Sequence, residues 1–127
     1  MIWIDSSFAV EWLMGSARSK ALDVSRDTLG ILPMQYAETF AFFLKREVNP
    51  LQIARQLESL TLISPDKIHL QQASLLYLEA RRQKSKASLA DAVLAAVAHE
   101  RREKILSFDQ DFAFLGLSEK QGFWSSF

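Results

Sequence analysis

The sequence predicts an α/β domain with a central, mainly parallel sheet covered by helices on both faces. Three observations predict it. Short apolar runs rich in β-formers recur at "IWI", "GILP", "TLIS" and "KILSF". The stretches between them carry apolar residues at helical spacing, and strands that alternate with helices pair in parallel. The composition of the 127 residues is globular, with 49% hydrophobic and 24% charged residues and only four Gly and three Pro. A chain of that length suits a single domain, 1–127, that buries roughly two-thirds of its unfolded surface.

Element by element, Ile2–Ile4 reads as a strand buried on both faces. "SSFAVEWL" follows with a Ser at a cap position and helical spacing of Phe8, Val10, Trp12 and Leu13. "GSARSKALDVSRDTL" continues as helix with Ala17, Ala21, Leu22 and Val24 inward. Gly30–Pro33 is a second strand, and Pro33 starts a helix at a position where its missing N–H costs nothing. In that helix Met34, Ala37, Ala41, Leu44 and Val48 mark an apolar face. Asn49-Pro50 breaks it, and "LQIARQLESL" is another helix. Thr61–Ser64 is a third strand, ended by Pro65-Asp66, and "KIHLQQASLLYLEARRQ" a long amphipathic helix. After the basic loop "KSKAS" comes "SLADAVLAAVAHERRE", apolar nearly all round and therefore a buried helix. Lys104–Phe108 is a fourth strand, "DQDFAFLG" a turn with a short helix, and "GFWSSF" an edge strand.

Several chemistries are disfavoured at once. The chain has no cysteine, which removes disulfides, zinc–thiolate sites and thiol nucleophiles and fits a cytoplasmic location. Two histidines, His69 and His99, support neither a His-based metal site nor a Ser-His-Asp triad. Met1 runs almost directly into a strand, leaving no room for a signal peptide, and no stretch is apolar enough to span a membrane. Fifteen basic residues balance fifteen acidic ones, so net charge does not announce nucleic-acid binding. A local basic rim around an acidic centre stays compatible with it.

Ligands of open parallel sheets bind outside the carboxyl ends of the strands, so the acids expected there matter most. Asp5 ends strand one; Asp109 follows strand four, with Asp111 two residues on. Asp91 sits in the first turn of its helix and Glu38 in the second turn of the helix after strand two. Each has a plain structural role open to it: Asp5 as an N-cap, Ser88-x-x-Asp91 as a capping box, Asp109 and Asp111 as caps of the next turn. Glu38 has no helical ion-pair partner at i±3 or i±4. Two anions about 5 Å apart repel by roughly 3 kcal/mol at an effective dielectric near 20. Four acids gathered together therefore call for divalent cations, and oxygen-only ligation suits Mg²⁺ or Mn²⁺. Such a site points to phosphate-ester hydrolysis by metal-activated water.

The stretches "IWIDSS", "YAETFAFFL", "SLADAVLAAVA" and "ILSFDQDF", in this order across the whole chain, resemble the PIN-domain ribonucleases, and most closely the toxins of VapBC-type toxin–antitoxin pairs. The resemblance implies a three-layer α/β/α sandwich. It implies catalytic and metal-binding roles for Asp5, Glu38, Asp91 and Asp109, with Ser6, Ser107 and Asp111 as auxiliary residues. Ser6 matches the small polar residue after the first acid, which leaves Ser7 as the helix cap. Ser107 stands where the family usually has Thr, and Phe108 where many members have a polar or basic residue. The implied activity is endonucleolytic cleavage of RNA with Mg²⁺ or Mn²⁺, leaving 5′-phosphate and 3′-hydroxyl ends. Arg81, Arg82, Lys84 and Lys86 are the RNA-contact candidates. The implied partners are a cognate antitoxin and a second copy of the chain, with no membrane involved. Trp12, Phe40, Phe42 and Phe43 are either core or a partner groove.

Alternative readings are a PIN nuclease outside any toxin–antitoxin pair and a non-catalytic PIN-like scaffold. A haloacid-dehalogenase phosphatase would need a second aspartate where Ser7 stands. A response-regulator receiver would need an aspartate at the end of "TLIS".

Overall fold

Six strands form one sheet in the order β3-β2-β1-β4-β6-β5. The computed structural model describes residues 1–22 and 28–127. The strands are β1 (Ile2–Ile4), β2 (Leu29–Ile31), β3 (Thr61–Leu62), β4 (Lys104–Leu106), β5 (Ser118–Lys120) and β6 (Phe123–Ser125). β1 lies between β2 and β4, parallel to both, with Trp3 beside Gly30 and Ile105. β2 and β3 are also parallel. β6 runs antiparallel to β4 and carries β5 outside it. The C-terminal "GFWSSF" strand is therefore interior, and the edge on that side is β5, which the sequence does not announce. Gly30 lets β1 and β2 pack closely: a Cβ there would lie 3.1 Å from the Trp3 ring and would displace the Met1 side chain.

The helices are α1 (Ser6–Met14), α2 (Ala17–Lys20), α3 (Pro33–Lys45), α4 (Pro50–Leu57), α5 (Lys67–Arg82) and α6 (Leu89–Arg101), with a 3-10 turn at Gln110–Leu115. Strand alternation sorts the core into two layers. Trp3, Ile105 and Trp124 pack with α5, α6 and the 3-10 turn through Ala73, Ala80, Leu94, Val97 and Phe112. Ile4, Ile31 and Leu106 pack with α1 and α4 through Phe8, Ala9, Ile53 and Leu57, with Tyr36, Phe40 and Phe43 of α3 against that cluster. The result is helix, sheet, helix, as the alternating sequence demands. α6 is the most enclosed helix, with Ala92 and the five residues Leu94–Ala98 all buried. Among the described residues no helix is long and apolar enough to cross a membrane.

Two helix faces differ from expectation. α1 stops at Gly15, which takes a left-handed conformation, and Ser16 caps a new short helix. That break resets the phase, so Ser19 is buried while Ala17 and Ala21 are exposed; Val24 lies outside the described residues. On α3 the expected stripe faces outward: Met34 is 57% and Leu44 45% exposed. Gln35 and Thr39 are buried instead. Each of the two buried side chains keeps a donor bond, while the side-chain oxygen of Gln35 has no hydrogen-bond partner among the described residues. Thr39 donates its hydroxyl hydrogen to the Gln35 carbonyl at 2.7 Å, and the Gln35 amide donates to the Ala90 carbonyl at 3.1 Å. The aromatics Trp12, Phe40, Phe42 and Phe43 are all half-buried.

Candidate active site

The strand order reverses between β1 and β4, the position at which open α/β sheets form their ligand crevice, outside the carboxyl ends of the two neighbouring strands. Asp5 closes β1 and, with extended backbone, caps α1: its Oδ1 accepts the Phe8 N–H at 2.9 Å. Two hydroxyls hold the same carboxylate. Ser107, just past β4, donates to Oδ2 at 2.6 Å; Ser7 donates to both oxygens at 2.8 and 2.9 Å. The hydroxyls in turn accept backbone N–H groups of the post-β4 loop, Asp109 onto Ser107 at 2.9 Å and Phe108 onto Ser7 at 3.2 Å. One network thus ties the ends of β1 and β4 together around a carboxylate that is only 3% exposed.

Three donors favour its charged form, but burial outweighs them. Asp5 is pushed up from 3.8 to about 6, chiefly by loss of solvent and in lesser part by the charge of Asp91. Asp91 is itself raised, first by burial and then by the charges of Asp109 and Asp111. Glu38 is raised by partial burial and by Asp91. Asp91 is therefore the electrical hub of the cluster. Its placement follows from the α6 capping box: the Asp91 N–H donates to Ser88 Oγ at 3.0 Å, and the Ser88 N–H donates to Asp91 Oδ2 at 3.2 Å. The Gln35–Ala90 hydrogen bond pins that turn to α3, one turn from Glu38. Asp109 accepts the Asp111 N–H at 2.9 Å and caps the 3-10 turn.

Among the described residues, none of these five acids forms an ion pair with Lys, Arg or His; the ion pairs of the chain use Glu11, Glu79, Glu100 and Glu103. Such a cluster lacks positive charge, and its oxygen-only donors suit a hard divalent cation. The fit is in charge and donor type. Among the described residues no three acidic or histidine side chains stand close enough to enclose an ion as they are. Asp91 and Asp109 each keep one oxygen on a cap, and the cap bonds do not use the other.

Several sequence expectations change place here. Asp5, not Ser7, caps α1, so one carboxylate serves the helix and the crevice together. Ser6 occupies the first position of α1, and the hydroxyl on Asp5 is that of Ser7. The signal for Ser7 was its position two residues beyond a capping aspartate, where a hydroxyl reaches back to the cap. Gln35 was also missed; a glutamine three residues before Glu38 looks like ordinary surface until the helix turns that face inward. Arg81, Arg82, Lys84 and Lys86 are exposed around the end of α5. Arg81 donates to the Ser85 carbonyl at 3.1 Å and Arg82 pairs with Glu79. Lys84 and Lys86 stand in the loop that leads to Ser88, the cap of Asp91's helix.

The chain matches the PIN domain family over residues 2–116. Comparison with curated proteins gave no significant match. Among solved structures, it is similar to the sarcin–ricin-loop-cleaving toxin VapC20 of Mycobacterium tuberculosis, with a TM-score of 0.73 and 22% identity over 94% of this chain and 98% of that one. It is also similar to a chain of a toxin–antitoxin complex from Klebsiella pneumoniae, with a TM-score of 0.71 and 20% identity over 89% and 91% of the two chains.

Proposed function

This chain belongs to the PIN domain family, and on that footing we propose that it is an endoribonuclease, dependent on Mg²⁺ or Mn²⁺, acting as the toxin of a VapBC-type pair. The observation that carries the reading is the cluster of five acids coupled through Asp91, none of them ion-paired with a basic side chain among the described residues. Similarity to a toxin that cleaves the sarcin–ricin loop supports RNA as the substrate class.

When bound, the cation supplies the charge that acidifies a water and offsets negative charge on the phosphoryl oxygens. Asp5, Asp91 and Asp109 offer it carboxylate oxygens, with Asp111 as an auxiliary ligand. Ser7 and Ser107 fix the orientation of the Asp5 carboxylate. Glu38, whose pKa is raised by partial burial and by the charge of Asp91, accepts the proton of the attacking water or shares the cation. The water oxygen bonds to phosphorus while the bond to the 3′-oxygen breaks. That oxygen takes a proton from solvent, leaving 5′-phosphate and 3′-hydroxyl ends. Lys84, Lys86, Arg81 and Arg82 offer positive charge to neighbouring phosphates. The cytoplasm is the proposed place of action.

Two apolar surfaces suit protein partners, an antitoxin and a second copy of the chain. One is the outward stripe of α3 with Met34, Ala37, Ala41 and Leu44. The other is a groove between α3, α4 and β3 lined mainly by Tyr36, Leu51, Leu57, Leu60 and Leu62, with the charged Arg55 and Glu58 also on its walls. The similarity to a toxin–antitoxin complex supports that use.

The purified chain is expected to cleave RNA with Mg²⁺ or Mn²⁺ and to lose this with EDTA. Asp5→Asn is expected to be folded and inactive. Cleavage that persists in EDTA, or undiminished cleavage by the folded variant, would overturn the reading.

A further inference from the structure

The acidic centre repels the polyanion it is proposed to cut, so the phosphodiester must be met by cations at the rim. Arg18 of α2 stands at that rim. Its guanidinium carbon lies 4.0 Å from the centroid of the Phe108 ring. Phe108 is the residue between Ser107 and Asp109, its N–H is bound to Ser7, and its ring packs on Phe8 at 5.6 Å between centroids. The platform under Arg18 is thus fixed to the same residues that hold Asp5. A guanidinium resting on a ring face keeps its in-plane N–H donors available.

The second hold on Arg18 is an ion pair with Glu11 of α1. The Arg18 side chain is 61% exposed and the Glu11 side chain 26%. A pair so exposed is weak and readily exchanged. A phosphate offers the same fork geometry as a carboxylate and, in a polyanion, more charge. We propose that Arg18 binds a phosphate of the RNA beside the scissile position, exchanging Glu11 for the substrate while Phe108 holds the guanidinium in place. The proposal rests on the ribonuclease reading. It also supplies a positive group next to Phe108, on the side of the crevice formed by the post-β4 loop. Lys84 and Lys86 serve the side formed by α6.

The test uses the full chain carrying Asp5→Asn, so that RNA is bound but not cut, with a labelled single-stranded RNA oligonucleotide as probe. Arg18→Gln is expected to weaken binding about tenfold, the scale of one charge-assisted contact. It is also expected to flatten the dependence of log K on log salt by about 0.7, the value for one phosphate on a single strand. Glu11→Gln is expected to tighten binding by about two- to fivefold by releasing Arg18. That gain should vanish when Arg18→Gln is also present, which a purely structural Arg18 would not produce. In the chain with Asp5 intact and metal present, Arg18→Gln should raise KM and leave kcat nearly unchanged. Unchanged affinity and salt slope in a folded Arg18→Gln chain would overturn the proposal. An equal Glu11→Gln gain with and without Arg18 would overturn it as well. RNA that is neither cut by the unsubstituted chain nor bound by Asp5→Asn would remove the ribonuclease reading itself, whatever Arg18 does.

Discussion

Asp5→Asn isolates the cost of a buried charge. In the folded chain the carboxyl moves from 3.8 to about 6, so its ionised form is about 3 kcal/mol costlier there than in the unfolded chain. Because the folded-state pKa is raised, the folded chain binds the proton more tightly than the unfolded one. The contribution of this group to stability is therefore fully present below pH 3.8 and is lost as pH rises through about 6. Asparagine carries no charge and still offers an oxygen to the Phe8 N–H. Its amide cannot accept the Ser107 hydroxyl proton, a loss of about 1 kcal/mol. The net gain at pH 8 without metal is about 2 kcal/mol, or roughly 6–10 °C in Tm for a chain of this size. At pH 4.5 only about 1 kcal/mol of the charge cost remains, and the lost hydrogen bond cancels it. Thermal unfolding followed by circular dichroism in EDTA at the two pH values measures both. A variant no more stable than the parent at pH 8, or an advantage as large at pH 4.5, would refute the claim that burial dominates this carboxylate.

Other outcomes follow from the same geometry. Ser7→Ala should cost about 1 kcal/mol of stability and displace the pH profile of cleavage upward, because the lost donor favoured the charged Asp5; Ser6→Ala should leave both unchanged. Tm and a pH–rate series for the two variants separate them. Mn²⁺ at about 100 times its Kd should stabilise the unsubstituted chain by about 2.7 kcal/mol, with little effect on Asp91→Asn, as read by thermal shift. Glu38→Gln should alter stability by no more than about 0.5 kcal/mol, since the site is exposed, yet slow single-turnover cleavage by about 10² or more.

The α/β architecture was legible from local pattern. Runs such as Ile2–Ile4 that are apolar on both sides have to lie inside a covered parallel sheet, and the near-uniformly apolar α6 has to be enclosed. The acids were legible too, because each stands at a strand end or in an early helical turn, and strand ends of a parallel sheet share one edge. Periodicity fails where two faces of a helix compete. α3 carries an aliphatic stripe, Met34 to Leu44, and an aromatic one, Tyr36, Phe40 and Phe43; spacing cannot say which meets the sheet. The fold chose the aromatic side and buried Gln35 and Thr39 with it.

By itself, then, the sequence determined most of the helices, the strands of the parallel part of the sheet and a shortlist of acids, because hydrophobic period and cap chemistry are local properties. Tertiary structure alone decided that Asp5 is both cap and crevice carboxylate, that Ser7 and Ser107 meet on it from segments a hundred residues apart, and that Arg18 lies on Phe108. Those facts depend on β1 and β4 becoming neighbours, and on the loss of solvent that follows. A pKa near 6 for Asp5 belongs to that enclosure, not to any feature of "IWIDSS" read as a string.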